Sequence, residues 1–480
     1  AEDGLAARST FPAAGPESGA LYIVNDGLSD PRLHNFRIVL TQANADWMES
    51  GYNFMSNDPV PATVIFRDQD IYYDVGVRFK GSLAGRHAEG KAGFRVKFNA
   101  DQLFNGMLDN ASVDRSALVP MSRLPETLIL LAMYRAGGAM SKYSDMINVV
   151  IPMPSNHNGP AQLQLGHYSD AFLDAQFDNG GDGDLFEFEY IYYPTSELSG
   201  GYKNYGSSGS NTRPAMQDWG GDKENYRNTY LIKNNRAEDD YSGLINFVQV
   251  MASSGSAFDD RIDIVADVDQ WLRYFAYGVA TALSDNFVRG DNHNAYFYRR
   301  PSDGRFLYFT HDLDHKPGTP GLSPRNAYHQ KMVNADPGWE RLYYAHMRDI
   351  LETAWNTTYM QTYTDQFRAL IPTGTWSSFL SRIGDIHDAI SSDLAGAVAP
   401  AYPFAVTSGS QTVPTLSTTV SGDGWLDVYA IYLDGQDTPL PLNWTASGSG
   451  SSRTYAWSAT VPLEPGVNTL SFLAYDYRGN

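Results

Sequence analysis

Apolar and polar residues alternate in four early stretches: NFRIVLT (35–41), PATVIF (61–66), IYYDVGVRFKG (71–81) and FRVKF (94–98). A strand sends successive side chains to opposite faces, so these stretches predict strands of an antiparallel sheet. The spacing turns helical at LPETLILLAMYRAGG (124–138), with Pro125 near the start and glycines near the end. It is helical again at DYSGLINFVQVMAS (240–253), DVDQWLRYFAYGVATALS (267–284), 340–370 and 377–396. Between the last two pairs, AYFYR and RFLYF alternate around a short polar link, as a hairpin does. Strands first and helices later predict an α+β fold rather than repeated β–α–β units.

Two segments break this pattern. Residues 190–225 are rich in Tyr, Gly and Ser and read as a long irregular insertion. After APAYP (399–403) charges thin out, Ser, Thr and Val dominate, and strand-like runs recur every 8–12 residues. That change predicts a C-terminal all-β sandwich. The expected organisation is an N-terminal arm over 1–35 with a strand at ALYIV, a main unit over 36–400, and the sandwich over 404–480. The ending DYRGN reads as a cut inside a longer protein.

Composition narrows the function classes. The chain has 480 residues, 42% of them hydrophobic, enough for a substantial core. Asp and Glu (55) outnumber Lys and Arg (35), giving a net charge of −20. Such a balance argues against non-specific nucleic-acid binding, which needs a basic surface. With no cysteine, disulfides, thiolate metal sites and cysteine nucleophiles are excluded. No apolar run reaches the length of a membrane-spanning helix.

The chemistry concentrates in SDNFVRGDNHNAYFYRRPSDGRFLYFTHDLDH (284–315). Asp285 precedes the hairpin, Asp312 and Asp314 follow it, and Asn292, His293 and Asn294 stand at its entrance. A hairpin brings its ends together, so these side chains can meet. Taken alone, the Asp-Leu-Asp reads equally well as a turn or helix cap. Arg78 and Lys80 fall on one face of a strand, and Arg95 and Lys97 on one face of the next. The loop DNGGDGD (178–184) offers Asp178, Asp182 and Asp184 to calcium, but without the full calcium-loop pattern. No phosphate-binding GxxxxGK[ST] occurs.

In order along the chain, YDVGVRFKGS (73–82), GKAGFRVKF (90–98), GHY (166–168), DGDLFEFE (182–189), LIKNNRAEDDYSGLINFVQVM (231–251) and the block from 267 to 318 resemble the CotH kinase family of secreted bacterial proteins. The resemblance implies an atypical protein-kinase-like fold, ATP, and Mg²⁺ with Mn²⁺ or Ca²⁺ as alternatives. It also implies transfer of a phosphoryl group to a protein or other extracellular hydroxyl, outside the cell or at its surface. On that resemblance Asp285 is the catalytic carboxylate, and Asp312, Asn294 and Asp314 are metal ligands. Lys91 is the first choice for the phosphates, with Lys80, Arg95 and Ser82, the last in the loop GSLAGRHAEG (81–90). Asp170 stands where the family carries a glutamate opposite its lysine, and His311 replaces an aromatic residue before the Asp-x-Asp. ATVPLEPGVNTLSFLAYDYRGN (459–480) resembles a bacterial Ig-like module. Two other readings stay open: a catalytically decayed carbohydrate- or surface-binding protein, and a glycan hydrolase using an Asp pair.

Overall fold

The computed structural model describes residues 26–480 apart from 82–85, 87–91, 115–124, 154–156, 198, 202, 205–210, 213, 291, 314–316 and 325. Seven strands open the chain: β1 (His34–Val39), β2 (Val60–Phe66), β3 (Asp70–Lys80), β4 (Gly93–Lys97), β5 (Asn110–Asp114), β6 (Ser144–Val150) and β7 (Gly159–Leu165). They form a closed barrel in the order β1-β2-β3-β4-β5-β7-β6. The sequence predicted an antiparallel sheet, and the neighbours within the barrel are antiparallel except where it closes. There β1 and β6 run parallel, His34 opposite Ile147 and Arg37 opposite Val150. The strand expected at ALYIV lies outside the described residues.

Alternation decides what fills the barrel. From β3, Val75, Val77 and Phe79 join Phe36, Val64, Phe94, Val96, Val113 and Val149 in one buried cluster. Their neighbours Arg78 and Lys80 therefore face outward, toward the second half of the chain. Leu163 and Leu165 of β7 also face that way and belong to a second, larger core. Helix α1 (Gln42–Glu49) links β1 to β2. Helix α2 (Glu126–Ala136) buries Leu128, Ile129, Leu130, Ala132 and Met133 in the larger core.

The second half is built on an antiparallel sheet and a helical stack. Strands β8 (Asp184–Phe188), β9 (Tyr230–Ile232), β10 (Ala295–Arg299) and β11 (Phe306–Thr310) pair in the order β9-β8-β10-β11. The predicted hairpin is β10–β11, with Ala295 opposite Thr310. Helix α3 (Asp170–Gln176) precedes this sheet, and α4 (Ser242–Ala252) and α5 (Val268–Ala280) lie between its strands in sequence. Nearly every residue of α5 is buried. It is tied to β11 by side chains: Trp271 Nε1 donates to Phe306 O (2.8 Å) and Gln270 Nε2 to Tyr308 O (2.7 Å). Then follow α6 (Ala327–Ala335), α7 (Pro337–Thr353), α8 (Thr357–Leu370) and α9 (Trp376–Ala397). The single helical stretch expected over 340–370 is two helices, because Asn356 caps the second by accepting from Tyr359 N (2.9 Å). Within the irregular insertion, Ile191–Tyr192 pairs with Asn211–Thr212 and Ser196–Glu197 with Lys203–Asn204.

Beyond α9 the chain is all β. Strands β12 (Ala405–Val406), β13 (Ser417–Asp423), β15 (Asn443–Ser447) and β16 (Thr454–Pro462) form one sheet, and β14 (Ala430–Leu433) pairs with β17 (Phe472–Tyr475). Val420, Val428, Ile431, Trp457, Ala459 and Val461 make a small core between them. This region is bound closely to α7. Arg341, only 2% exposed, donates to Trp425 O (3.0 Å) and Val428 O (2.5 Å) and lies 3.7 Å over the Trp444 ring. Arg453 binds Glu340 (2.7 Å). The chain is thus α+β, and among the described residues no helix is long and apolar enough to cross a membrane.

The Arg341 contacts lead to a prediction. Arg341→Met keeps the length but takes its donor from the buried Val428 carbonyl, while Trp425 O keeps Val428 N (3.2 Å). One such carbonyl costs about 1–3 kcal/mol. Urea unfolding followed by tryptophan fluorescence should show a loss of about 1–3 kcal/mol. A loss below about 0.5 kcal/mol would mean that Arg341 does not hold the sheets to α7.

Candidate functional site

The outward face of the barrel meets the β8–β11 sheet along a cleft, and charged side chains gather there. Lys80 ends β3 and Asp114 ends β5, two strands apart, with Gly93 of β4 opposite Lys80. A Cβ on Gly93 would stand 2.8 Å from Val113 O and 3.6 Å from Lys80 Cβ. Lys80 lies across β4 beside this glycine and forms its ion pair with Asp114. Glu126, the first residue of α2, and Asp312, just beyond β11, complete the group. Carboxylate oxygens of Asp114, Glu126 and Asp312 all lie within 4.8 Å of one another.

Elements distant in the chain thus place three carboxylates around one ammonium. Burial opposes the charge on Lys80, but Asp114, Asp312 and Glu126 outweigh it and hold its pKa above the ordinary value. Burial, and then Asp114, push Glu126 above the usual carboxylate range against the pull of Lys80. Asp312 sits in the left-handed region at φ 54°, as does Asn294 at φ 55°. Both are residue types that tolerate it, and both end the hairpin where His311 N donates to Asn294 O (3.0 Å).

A second layer surrounds this group. Lys142, just before β6, donates to His311 Nδ1 (2.6 Å) and lies 4.7 Å over the Tyr168 ring. Burial draws the Lys142 pKa down, while Glu126 and Asp312 resist. Burial and the neighbouring Lys142 keep His311 neutral. Tyr296 donates to Glu187 (2.8 Å), which also binds Lys233 (2.6 Å). Arg78 and Arg95 stand directly opposite each other on β3 and β4. Among the described residues, Arg78 donates to Phe79 O (2.9 Å), and Arg95 to Asn110 (3.4 Å) and His167 (2.8 Å); neither meets a carboxylate. Burial, with Arg86 and Arg95 nearby, lowers the Arg78 pKa to about 10.

At the entrance of β10, Asp285 Oδ1 lies 3.1 Å from His293 Nε2. The His293 ring stacks on Tyr190 at 4.1 Å. Asn294 Nδ2 donates to Asp285 O (2.6 Å), and Asn294 N to Glu189 (3.2 Å). Burial raises Glu189 to about 7 against the pull of His293.

Of the residues singled out from the sequence, Lys80 and Asp312 lie in the carboxylate group, Arg95 on the cleft wall, and Asp285 beside Asn294. The Asn294 amide is turned to the Asp285 carbonyl. Lys91, Ser82 and Asp314 fall outside the described residues. Asp170 accepts from Asn234 (3.1 Å) at the start of α3. Of the three aspartates in 178–184, Asp184 is turned to Arg299 (3.5 Å), and the trio is not among the convergent acidic groups of the described residues. Asp114 and Glu126 were missed. Both had a signal: Asp114 ends an alternating strand on the Lys80 face, and Glu126 is the one acid at the head of a strongly apolar helix.

Comparison with known proteins adds one family. The model described as CotH kinase protein matches residues 163–382, somewhat under half of the chain, and suggests a kinase-like function there. Asp285, Asn294 and Asp312 lie inside that span, whereas Lys80, Asp114 and Glu126 lie outside it. No curated protein matches the chain. Among solved structures, the Shewanella oneidensis MR-1 toxin–antitoxin system HipA, HipB with its operator DNA aligns at 9% identity. The alignment covers 63% of this chain and 57% of that one with a TM-score of 0.25, too slight a likeness to define a shared fold.

The raised Glu126 carboxyl predicts a pH dependence. Its folded pKa exceeds its unfolded one, so stability is lost as pH rises from the unfolded value through the folded one. Glu126→Gln lacks that loss. The melting temperature of Glu126→Gln should therefore gain on the wild type steadily between pH 4.5 and pH 8 without added metal. A constant difference across that range would show that Glu126 does not carry the burial cost.

Proposed function

We propose that the chain is a kinase that transfers the γ-phosphoryl group of ATP to a hydroxyl of an extracellular protein or glycan, with a divalent metal. One observation carries this reading: the CotH kinase match holds Asp312, and the fold sets Asp312 beside two further carboxylates and a lysine at the interlobe cleft. The donor set suits Mg²⁺, which takes carboxylate oxygens and keeps several waters. Three carboxylates exceed the charge of the one ammonium among them, and Asp114 adds to burial in raising the Glu126 pKa.

When bound, the nucleotide would supply the phosphoryl group and the metal the positive charge that neutralises the negative charge spread over its oxygens. Asp312, with Asp114 and Glu126, would hold the metal, and Lys80 would keep the three carboxylates from repelling one another. Arg78 and Arg95 repel each other across the strands, and a polyanion would relieve that repulsion. Asp285 would orient the acceptor hydroxyl and take its proton as the acceptor oxygen bonds to phosphorus and the phosphorus bond to the leaving oxygen breaks. His293, 3.1 Å away, would steady that carboxylate. Lys91, Ser82 and Asp314 remain proposed for the phosphates and the metal by resemblance. A secreted or cell-surface setting accords with the acidic balance.

Two substitutions should separate the roles. Mg-ATP at about 100 times its Kd should stabilise the wild type by about 2.7 kcal/mol. Asp312→Asn should lose this stabilisation. Asp285→Asn should keep it but transfer phosphate about 10²–10⁴-fold more slowly, measured with radiolabelled ATP. A wild type that Mg-ATP does not stabilise would overturn the kinase reading and bring forward a binding role for the cleft.

A further inference from the structure

Helix α2 begins at Glu126 in the carboxylate group and ends about 16 Å away, at 1.5 Å per residue. Its far end is gripped by residues that were not singled out within their stretches of sequence. Gly137, at φ 70°, closes the helix by donating to Met133 O (3.2 Å). The last carbonyls are left for other donors. Arg273 of α5, 1% exposed, donates to Ala136 O and to Gly137 O (3.1 Å). Arg478, beyond β17, donates to Ala136 O and Arg135 O, both at 3.3 Å. Two guanidinium groups thus sit on the negative end of the α2 dipole, where cations are favoured.

The two arginines are held by shared partners. Asp349 of α7 binds Arg273 (2.6 Å) and Arg478 (2.8 Å). The Tyr477 ring lies 3.9 Å under the Arg273 guanidinium and meets His346 edge-on at 5.0 Å. The Tyr477 hydroxyl occupies the space a Cβ on Gly138 would need, so the turn after α2 is shaped to this ring. Tyr429, against the other side of Tyr477, donates to Asp269 (2.5 Å), which also binds His346 (2.6 Å).

We propose that Tyr477 and Arg478 are positioning residues for the cleft: the C-terminal β region clasps the far end of α2 and so sets Glu126 against Lys80, Asp114 and Asp312. The proposal rests on the reading of that carboxylate group as a metal site. A helix moves as a rigid rod, so a shift at Ala136 is delivered to Glu126. Cutting the clasp should leave the folded chain intact, because Arg478 is partly exposed. It should nevertheless loosen a residue at the opposite end of α2.

The test uses the full chain with Tyr477→Leu, Arg478→Gln and the conservative Tyr477→Phe, which keeps the ring over Arg273. Hydrogen–deuterium exchange over 126–136 and Mn²⁺ binding followed by electron paramagnetic resonance are the two measurements. Expected are faster exchange along α2 and a Mn²⁺ affinity about fivefold or more weaker in the first two variants, with both restored in Tyr477→Phe. Unchanged exchange over 126–136 in the two disrupting variants overturns the clasp. So does faster exchange with unaltered Mn²⁺ affinity. If the wild type binds no Mn²⁺, the metal reading fails by itself, and the exchange arm still decides: protection lost at Ala136 but kept at Glu126 would sink the coupling.

Discussion

An ammonium buried among three carboxylates is the constraint around which the cleft is organised. Lys80 cannot be dry and alone, because an unpaired buried charge is far too costly. Its partners come from three separate places: the end of β5, the head of α2, and the turn after β11. Barrel, helix and second sheet must all be in position for the charges to be matched. The glycine at 93 answers a backbone constraint beside this pair, since a Cβ there would press on the Val113 carbonyl at 2.8 Å while only touching Lys80 at 3.6 Å. The matching of charges also explains why the outward face of β3 is cationic while the inward face is wholly apolar.

The surrounding groups take the charge state that their partners set. His311 stays neutral beside Lys142, and Glu187 is kept ionised by Lys233 and Tyr296 although burial works against it. Tyrosines rather than further charges fill the floor: Tyr168, Tyr274, Tyr296 and Tyr308 are all buried. Their hydroxyls spend themselves on fixed partners, such as Tyr168 on Thr310 O (3.0 Å) and Tyr274 on Met140 O (2.8 Å). The many tyrosines of the sequence thus include a rigid, polar-tipped wall.

Much of the local structure was legible because it follows from period. The runs at 61–66, 71–81 and 94–98 became β2, β3 and β4 within a residue or two, and the hairpin of AYFYR with RFLYF is β10–β11. Asp312 and Asp285 drew notice through the resemblance of their block, since the Asp-Leu-Asp taken alone reads equally well as a turn, and the structure sets Asp312 beside Asp114 and Glu126. Closure of the barrel was not legible, since period says which face is buried but not which strands become neighbours. Glu126 was hidden for a similar reason. Its first-turn position is also where any helix welcomes an acid, so helix capping masked its place in the cleft. The Tyr477–Arg478 clasp has no signature of its own within its stretch of sequence; it exists only through contacts across more than 340 positions of chain.

The parallel seam between β1 and β6 has a bearing on how the protein is made. His34–Arg37 of β1 wait for partners more than 110 positions further along, so this strand is among the last of the barrel to be paired on that edge. Contacts this remote in sequence carry a large closure entropy and slow folding. Until residues 144–150 leave the ribosome, β1, paired only with β2, presents an unpaired strand edge of the kind that associates with other chains. Chaperone demand during synthesis should therefore be concentrated between the emergence of β1 and that of β6, long before Asp312 and the cleft around it exist.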